Sequence, residues 1–286
     1  MNKPVLDPQF KHYLSKQPGL SYVKDKDGKM RRALINSLEL ALGRRKLERI
    51  YHDLKRPEFD LATFFKNAVE RSDLQVRYHG RRPHELNIKG PLIFLANHPF
   101  GIVDGLLFCE LAIRARGDFR IMINSDLCQD EELAPYFLPV DFEPNKQAIK
   151  TNIRSKQLAL ECLSNNIPLL IFPSGMVSTA KKLGFGKVQD GEWTTFAAKL
   201  VRESQATVLP IFFHGRNSRK FHIMSHIAEP FRMGLLLHEA LNKFGRELDV
   251  SIGEPLFWSE KLESMDRKQL TQHLYQIVNL NSPQLR

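Results

Sequence analysis

Leu92-Ile93-Phe94-Leu95-Ala96-Asn97-His98-Pro99-Phe100-Gly101-Ile102-Val103-Asp104-Gly105 is the stretch whose reading decides the fold. Its first five residues are an unbroken apolar run, the pattern of a strand buried on both faces. Pro99 and Gly101 then punctuate the chain, and a helical pattern follows around residues 104 to 115. Working outward, β-prone runs recur at Phe119 to Ile123, Pro168 to Phe172, Thr207 to Phe213 and Leu248 to Ile252. Helical patterns intervene around 147 to 164, 193 to 203 and 232 to 244. This alternation predicts βαβ units, hence an α/β fold with a mostly parallel central sheet flanked by helices. In such sheets ligands gather at the carboxyl ends of strands, which puts Asn97 and His98 where chemistry belongs.

The chain divides by pattern into a basic helical N-terminal region (1–73), the α/β domain (74–258) and a C-terminal helix docked on it (259–286). That last helix runs from about Glu260 to Leu280, with Leu262, Leu270, Leu274, Ile277 and Val278 as its apolar positions. No internal repeat or low-complexity tract appears, and no Gly/Ser/Pro-rich linker separates the parts, which favours docked helices over independently moving domains.

With 286 residues and 42% hydrophobic content, the chain can fill a substantial core. Its formal charge is +10, and residues 1–90 hold 20 Lys/Arg against 11 Asp/Glu while the remainder is nearly balanced at 22 against 21. A localised basic surface follows, one that could face nucleic acid, anionic lipid or an acidic carrier protein. Nucleic acid is not expected, because neither interleaved aromatics nor a binding module accompanies the charge. Three cysteines, Cys109, Cys128 and Cys162, form no even framework and point to a reducing compartment. No signal peptide or stretch of ~18 apolar residues occurs, so the chain is expected to be cytoplasmic, with room for peripheral membrane contact.

Within the basic region Leu34, Ile35, Leu38, Leu42, Leu47, Ile50, Tyr51 and Leu54 recur at near-helical spacing, with Arg31, Arg32, Arg44, Arg45, Lys46 and Arg49 between them. They read as one helix, or two meeting near Gly43. Such a helix packs its stripe on the main domain with its charges solvated, or lies on a membrane surface.

His98 just past a strand and Asp104 where the next helix begins are the candidate catalytic pair. If Pro99 to Gly101 form a tight turn, Asp104 folds back to accept the imidazole N–H, fixing the tautomer and stabilising the imidazolium formed when the other nitrogen takes a proton. The plain alternative is that His98 ends a strand and Asp104 caps a helix.

Asn97-His98, with Asp104-Gly105 after a turn, resembles block I of the glycerolipid and lysophospholipid acyltransferase superfamily. Ile171-Phe172-Pro173-Ser174-Gly175-Met176-Val177-Ser178 is similar to block III, commonly FPEGTRS, and Val208-Leu209-Pro210-Ile211-Phe212-Phe213 to block IV. The resemblance covers about residues 74–258. The family's usual spacing places four residues between His and Asp; here five intervene, and Gly101 offers a place to absorb the extra one. NHPFG, FPSG and the HGRNS of residues 214–218 resemble a bacterial branch labelled hemolysin-like or ornithine-lipid-type.

The resemblance implies an O- or N-acyltransferase of lipid metabolism and phospholipid biosynthesis, with His98 and Asp104 catalytic. It would take its acyl group from acyl-CoA or acyl-carrier protein as co-substrate, with no bound cofactor and no metal. It implies substrate contacts from Asn97, Gly101, Phe172, Pro173, Ser174 and Gly175, with Arg216, Asn217 and Ser218 adding polar donors at the same sheet edge. Block III carries Ser174 and Val177 where Glu and Arg are usual, and the block II segment near Leu138-Pro139-Val140-Asp141 lacks its Arg. Recognition of a glycerol phosphate would need replacement cations, for which Arg154, Lys181, Lys182 and Arg219, with Arg216, are candidates.

Backbone N–H groups at Ser174 and Gly175 could face a developing oxyanion. Ser174 as a covalent nucleophile, making the protein a thioesterase or hydrolase, is disfavoured because no Gly-x-Ser-x-Gly elbow surrounds it. A non-catalytic lipid-binding or membrane-remodelling protein on the same fold is the remaining alternative. The expected location is the inner face of the cytoplasmic membrane.

Overall fold

Leu92–Ala96 forms the strand that its apolar run predicts, and all five residues are sealed from solvent. The computed structural model describes residues 3–16, 18–21, 23, 28–55, 58–182, 185–226 and 229–279. Its strands are β1 (Gln75–Gly80), β2 (Leu92–Ala96), β3 (Arg120–Asn124), β4 (Phe137–Val140), β5 (Leu169–Ile171), β6 (Thr179–Lys182), β7 (Phe185–Gln189), β8 (Thr207–Phe213) and β9 (Glu247–Ile252). Its helices are α1 (Lys29–Ala41), α2 (Arg44–Lys55), α3 (Leu61–Arg71), α4 (Ile102–Arg116), α5 (Lys146–Ser164), α6 (Phe196–Ser204), α7 (Arg219–Ser225), α8 (Glu229–Lys243), α9 (Glu260–Glu263) and α10 (Arg267–Asn279).

Seven strands form one sheet in the order β1-β9-β8-β2-β5-β3-β4. The five from β8 to β4 are parallel, whereas β9 runs antiparallel to β8 and β1 parallel to β9. β2 therefore lies at the centre, and the loops after β2, β5 and β8 emerge side by side at one edge.

The pleat divides β2 between two cores. Leu92, Phe94 and Ala96 join the layer under α3, α4 and α8, while Ile93 and Leu95 join that under α5, α6 and α10. Each fully buried aliphatic or aromatic side chain contributes about 1.5–3 kcal/mol, so burial on both faces outweighs local propensity in fixing this strand. Helix starts are conventional: Asp60 and Asn145 accept the Thr63 and Ala148 amides at 2.8 Å, and the Thr63 hydrogen bond holds the Asp60 carboxyl below the usual carboxylate range.

The basic segment resolves into two helices. Gly43 between them has φ of +100°, and the Leu241 side chain occupies the place a Cβ would take. Leu38 and Leu42 rest on Gly234 of α8, so the apolar stripe packs on the main domain. The Arg44 guanidinium is not solvated: it reaches the fully buried Glu39 at 2.6 Å and Asn36 at 2.9 Å. Arg45, Lys46 and Arg49 remain exposed, and on the outer face of α1 Met30 and Leu34 are 89% and 52% exposed.

Several boundaries depart from the sequence reading. β1, β4 and the β6–β7 hairpin were not expected. The helix expected at 193–203 starts only at Phe196, because Trp193 turns into the core beforehand. The C-terminal helix is two, since Asp266 caps a new start by accepting the Lys268 and Gln269 amides at 2.7 and 2.8 Å.

Candidate active site

His98 stands two residues beyond β2, at the edge where the parallel strands end. Gly101, with φ of +91° and ψ of −97°, turns the chain sharply into α4. A side chain there would meet Leu236 at 2.8 Å and Val177 at 3.3 Å, so both the conformation and the space require glycine. The turn places Asp104 in the first turn of α4, fully buried, where its carboxylate accepts the Phe100 amide at 2.8 Å and the Gly105 amide at 2.9 Å. The five-residue spacing thus still returns the carboxylate to the histidine.

His98 Nδ1 lies 3.1 Å from Asp104 Oδ1, with its N–H directed off the oxygen. In general a histidine and a carboxylate that work as a catalytic pair align fully only when substrate is bound. The imidazole stacks on Phe172, centroids 3.9 Å apart and planes 22° apart, which fixes the ring's tilt. Its side chain is 17% exposed, and among the described residues no hydrogen bond or ion pair engages Nε2.

The neighbouring segments are locked by hydrogen bonds. The Asn97 amide pairs reciprocally with the Phe213 backbone at 2.9 and 2.7 Å. Asn217, 2% exposed, donates to the Phe100 carbonyl at 3.3 Å. Ser178 N donates to the His98 carbonyl at 2.8 Å, joining the loop after β5 to the loop after β2. Asn97, His98, Gly101, Asp104, Phe172, Pro173, Ser174, Gly175 and Asn217 are therefore gathered into one neighbourhood.

Other candidates sit differently. The Ser174 hydroxyl donates to the Met176 carbonyl at 2.8 Å, within its own turn. Ser218 caps α7 through Phe221 N at 3.2 Å and donates its hydroxyl to buried Glu239. The Arg154 guanidinium meets Asp7 at 2.9 Å and Glu161 at 3.3 Å, tying the N-terminal segment to α5. Arg216 and Arg219 are exposed. The side chains of Lys181 and Lys182 lie outside the described residues.

Asp190 escaped the sequence reading. It is 7% exposed and accepts the His98 backbone N–H at 3.1 Å, the Trp193 indole N–H at 3.0 Å and the Ser178 hydroxyl. Burial raises its pKa above the usual carboxylate range, against the lowering effect of these donors. Asp190-Gly191 reads locally as a turn, and nothing in its immediate pattern announces a buried acid.

Two further histidines near this edge give a pH signature. Burial pushes the pKa of both His214 and His222 below the ordinary imidazole value, His222 despite the nearby Glu239 and His214 despite Asp249. The folded state therefore favours neutral rings. As pH falls below about 6.5 the unfolded chain binds protons that the native protein refuses, so stability declines through that window. We expect urea unfolding to show this loss between about pH 7.5 and 5.5, and His222→Phe to reduce the slope. An unaltered slope would remove His222 as a contributor.

A strand-end histidine beside a buried aspartate, with backbone-rich loops around it, is an arrangement suited to general-base catalysis on an acyl group. The chain belongs to the acyltransferase family, whose family model, described as acyltransferase, matches residues 44–273. It is an enzyme of lipid metabolism within the lysophospholipid acyltransferase superfamily.

Two relatives share the description lyso-glycine lipid O-acyltransferase. The one from Phocaeicola vulgatus is 29% identical over 203 residues, covering 68% of this chain and 69% of its own. The one from Bacteroides thetaiotaomicron is 26% identical over 223 residues, covering 75% and 78%. A solved structure, the 1-acyl-sn-glycerophosphate acyltransferase PlsC from Thermotoga maritima, aligns over 88% of this chain and 95% of its own at 15% identity, with a TM-score of 0.46.

Proposed function

We propose that the protein transfers a fatty acyl group from acyl-CoA or acyl-carrier protein to a lysolipid hydroxyl, with His98 as general base and Asp104 holding it. The observation that carries this reading is the 3.1 Å approach of His98 Nδ1 to a fully buried Asp104, with Nε2 left for substrate. Nε2 removes the acceptor O–H proton, the oxygen attacks the thioester carbonyl, and the C–S bond breaks. The departing thiolate takes the proton back from the imidazolium, so the enzyme returns unchanged. Of the two amides expected to face the oxyanion, the Ser174 amide is left for that role, because the Gly175 amide is spent on the Phe172 carbonyl at 2.9 Å.

An O-acyl acceptor fits the relatives' shared description. The block III changes support an acceptor other than a glycerol phosphate, because Val177, in the place of the usual Arg, packs with Phe221 and Leu236 instead of offering charge. The exposed Arg45, Lys46 and Arg49 support contact with an anionic membrane surface or an acidic carrier protein, at the inner face of the cytoplasmic membrane. Among the described residues no helix is long and apolar enough to cross a membrane.

Incubating pure protein with labelled acyl-carrier protein or acyl-CoA and a lysolipid tests the reading. Labelled diacyl product is expected; free fatty acid alone would replace transfer with hydrolysis, and binding without product would leave a lipid-binding protein. Ser174→Ala is expected to lose no more than one hydrogen bond's worth, about 0.5–1.5 kcal/mol, since that hydroxyl is committed to the Met176 carbonyl. An acyl adduct on Ser174 in intact-mass spectra would overturn direct transfer.

A further inference from the structure

We infer that the outer face of α5, together with Phe142 and Met176, is a lipid-facing surface that seats the mouth of the site on an anionic bilayer. Four large apolar side chains are more than half exposed here: Phe142 at 63%, Ile149 at 61%, Ile153 at 54% and Met176 at 51%. Lys146, Ile149, Lys150 and Ile153 follow i, i+3, i+4, i+7 spacing, so cations and branched apolar groups share one face of α5. No ion pair joins Lys146 or Lys150 to an acid among the described residues. The opposite face, with Ala148, Thr151, Ser155 and Ala159, is buried against the sheet.

The patch adjoins the site. α5 begins just after β4, at the same sheet edge as His98, and the Phe142 ring lies 3.5 Å from where a Cβ on Gly175 would stand. Asp141 and Asn152 clasp reciprocally, the Asp141 amide on Asn152 Oδ1 and the Asn152 side-chain amide on the Asp141 carbonyl, both at 2.9 Å, which pins the chain just before Phe142 to the second turn of α5. The Asp141 carboxylate is already engaged by the Tyr13 hydroxyl at 2.7 Å.

The composition selects the occupant. An acyl-carrier protein would be gripped mainly by charge, but here two cations flank four exposed apolar groups, the balance of a surface that sinks its apolar groups among acyl chains while lysines meet headgroups. This rests on the proposed lysolipid acceptor, which such seating would deliver from the bilayer directly to His98.

The test is co-sedimentation of the full chain with phosphatidylglycerol vesicles, beside transfer to a short-chain acceptor free in solution. Ile149→Glu with Ile153→Glu should weaken vesicle binding by more than about tenfold and lower transfer to vesicle-borne lysolipid alike, with transfer to the soluble acceptor within about twofold of the parent. Ile149→Ser with Ile153→Ser, a gentler pair, should show the same direction if the Glu pair lowers the melting temperature. Unchanged vesicle binding would overturn the inference, as would loss only on Met30→Glu with Leu34→Glu in α1. Intact vesicle binding with lost affinity for acyl-carrier protein would reassign the face to that protein. Absence of transfer to the soluble acceptor by the parent enzyme would instead sink the acyltransferase proposal, whatever the vesicles show.

Discussion

His98→Ala is expected to lower acyl transfer by about 10²–10⁴-fold, the range lost with a general base. The substitution removes a ring that is stacked on Phe172 at one face and partly open at the other, so the melting temperature should change far less than the rate. Asp104→Asn is the companion. The carboxylate serves two backbone amides as well as the histidine, and an amide can replace only one of its oxygens as acceptor. It should therefore lose activity together with some stability, whereas His98→Ala separates the two. A folded His98→Ala protein turning over at the parent rate would end the general-base mechanism.

Phe108→Ala carries the largest expected effect on stability, about 3–5 kcal/mol. Phe108 is fully buried on α4 and its ring meets Phe94, Phe172 and Phe213 at centroid distances of 6.2, 4.9 and 6.0 Å. It thus packs against the loop on one side of the site, and removing it opens a cavity beneath the ring on which His98 stacks. Urea denaturation measures the loss; a value under about 1 kcal/mol would mean that the aromatic cluster closes around the gap. Phe108→Leu should retain more stability because it keeps most of the apolar volume.

The central part of the fold was legible because β2, β5 and β8 are buried on both faces and read as continuous apolar runs. β1 was not, since Gln75, Arg77 and His79 alternate with Val76 and Tyr78 on an edge strand whose polar positions pair with Asp249 only once the chain has folded. β4 was masked by Pro139, tolerable there because β4 is the last strand of the sheet. Of the site, His98 and Asp104 were visible through their position after a strand and turn. Asp190 was not, because what matters about it is its burial and the donors it receives from His98 and Ser178, 92 and 12 residues away, which its immediate sequence does not announce. Arg44 shows the converse: a basic run suggested solvated charge, yet Glu39, on the preceding helix, takes its guanidinium inside.

The hydrogen bonds around His98 span great lengths of chain. Asn97 reaches Phe213 across 116 residues, Asn217 reaches Phe100 across 117, and Asp190 reaches His98 across 92. During synthesis, the histidine and its aspartate leave the ribosome well before the strand and turn that hold them in place. Until β8 has slotted in beside β2, the chain carries the chemical groups without the geometry, and contacts of such separation close late because long loops must first be ordered. Competence is thereby tied to completion: an interrupted or unfinished chain lacks an assembled site, and the appearance of activity on refolding reports that the whole sheet has closed.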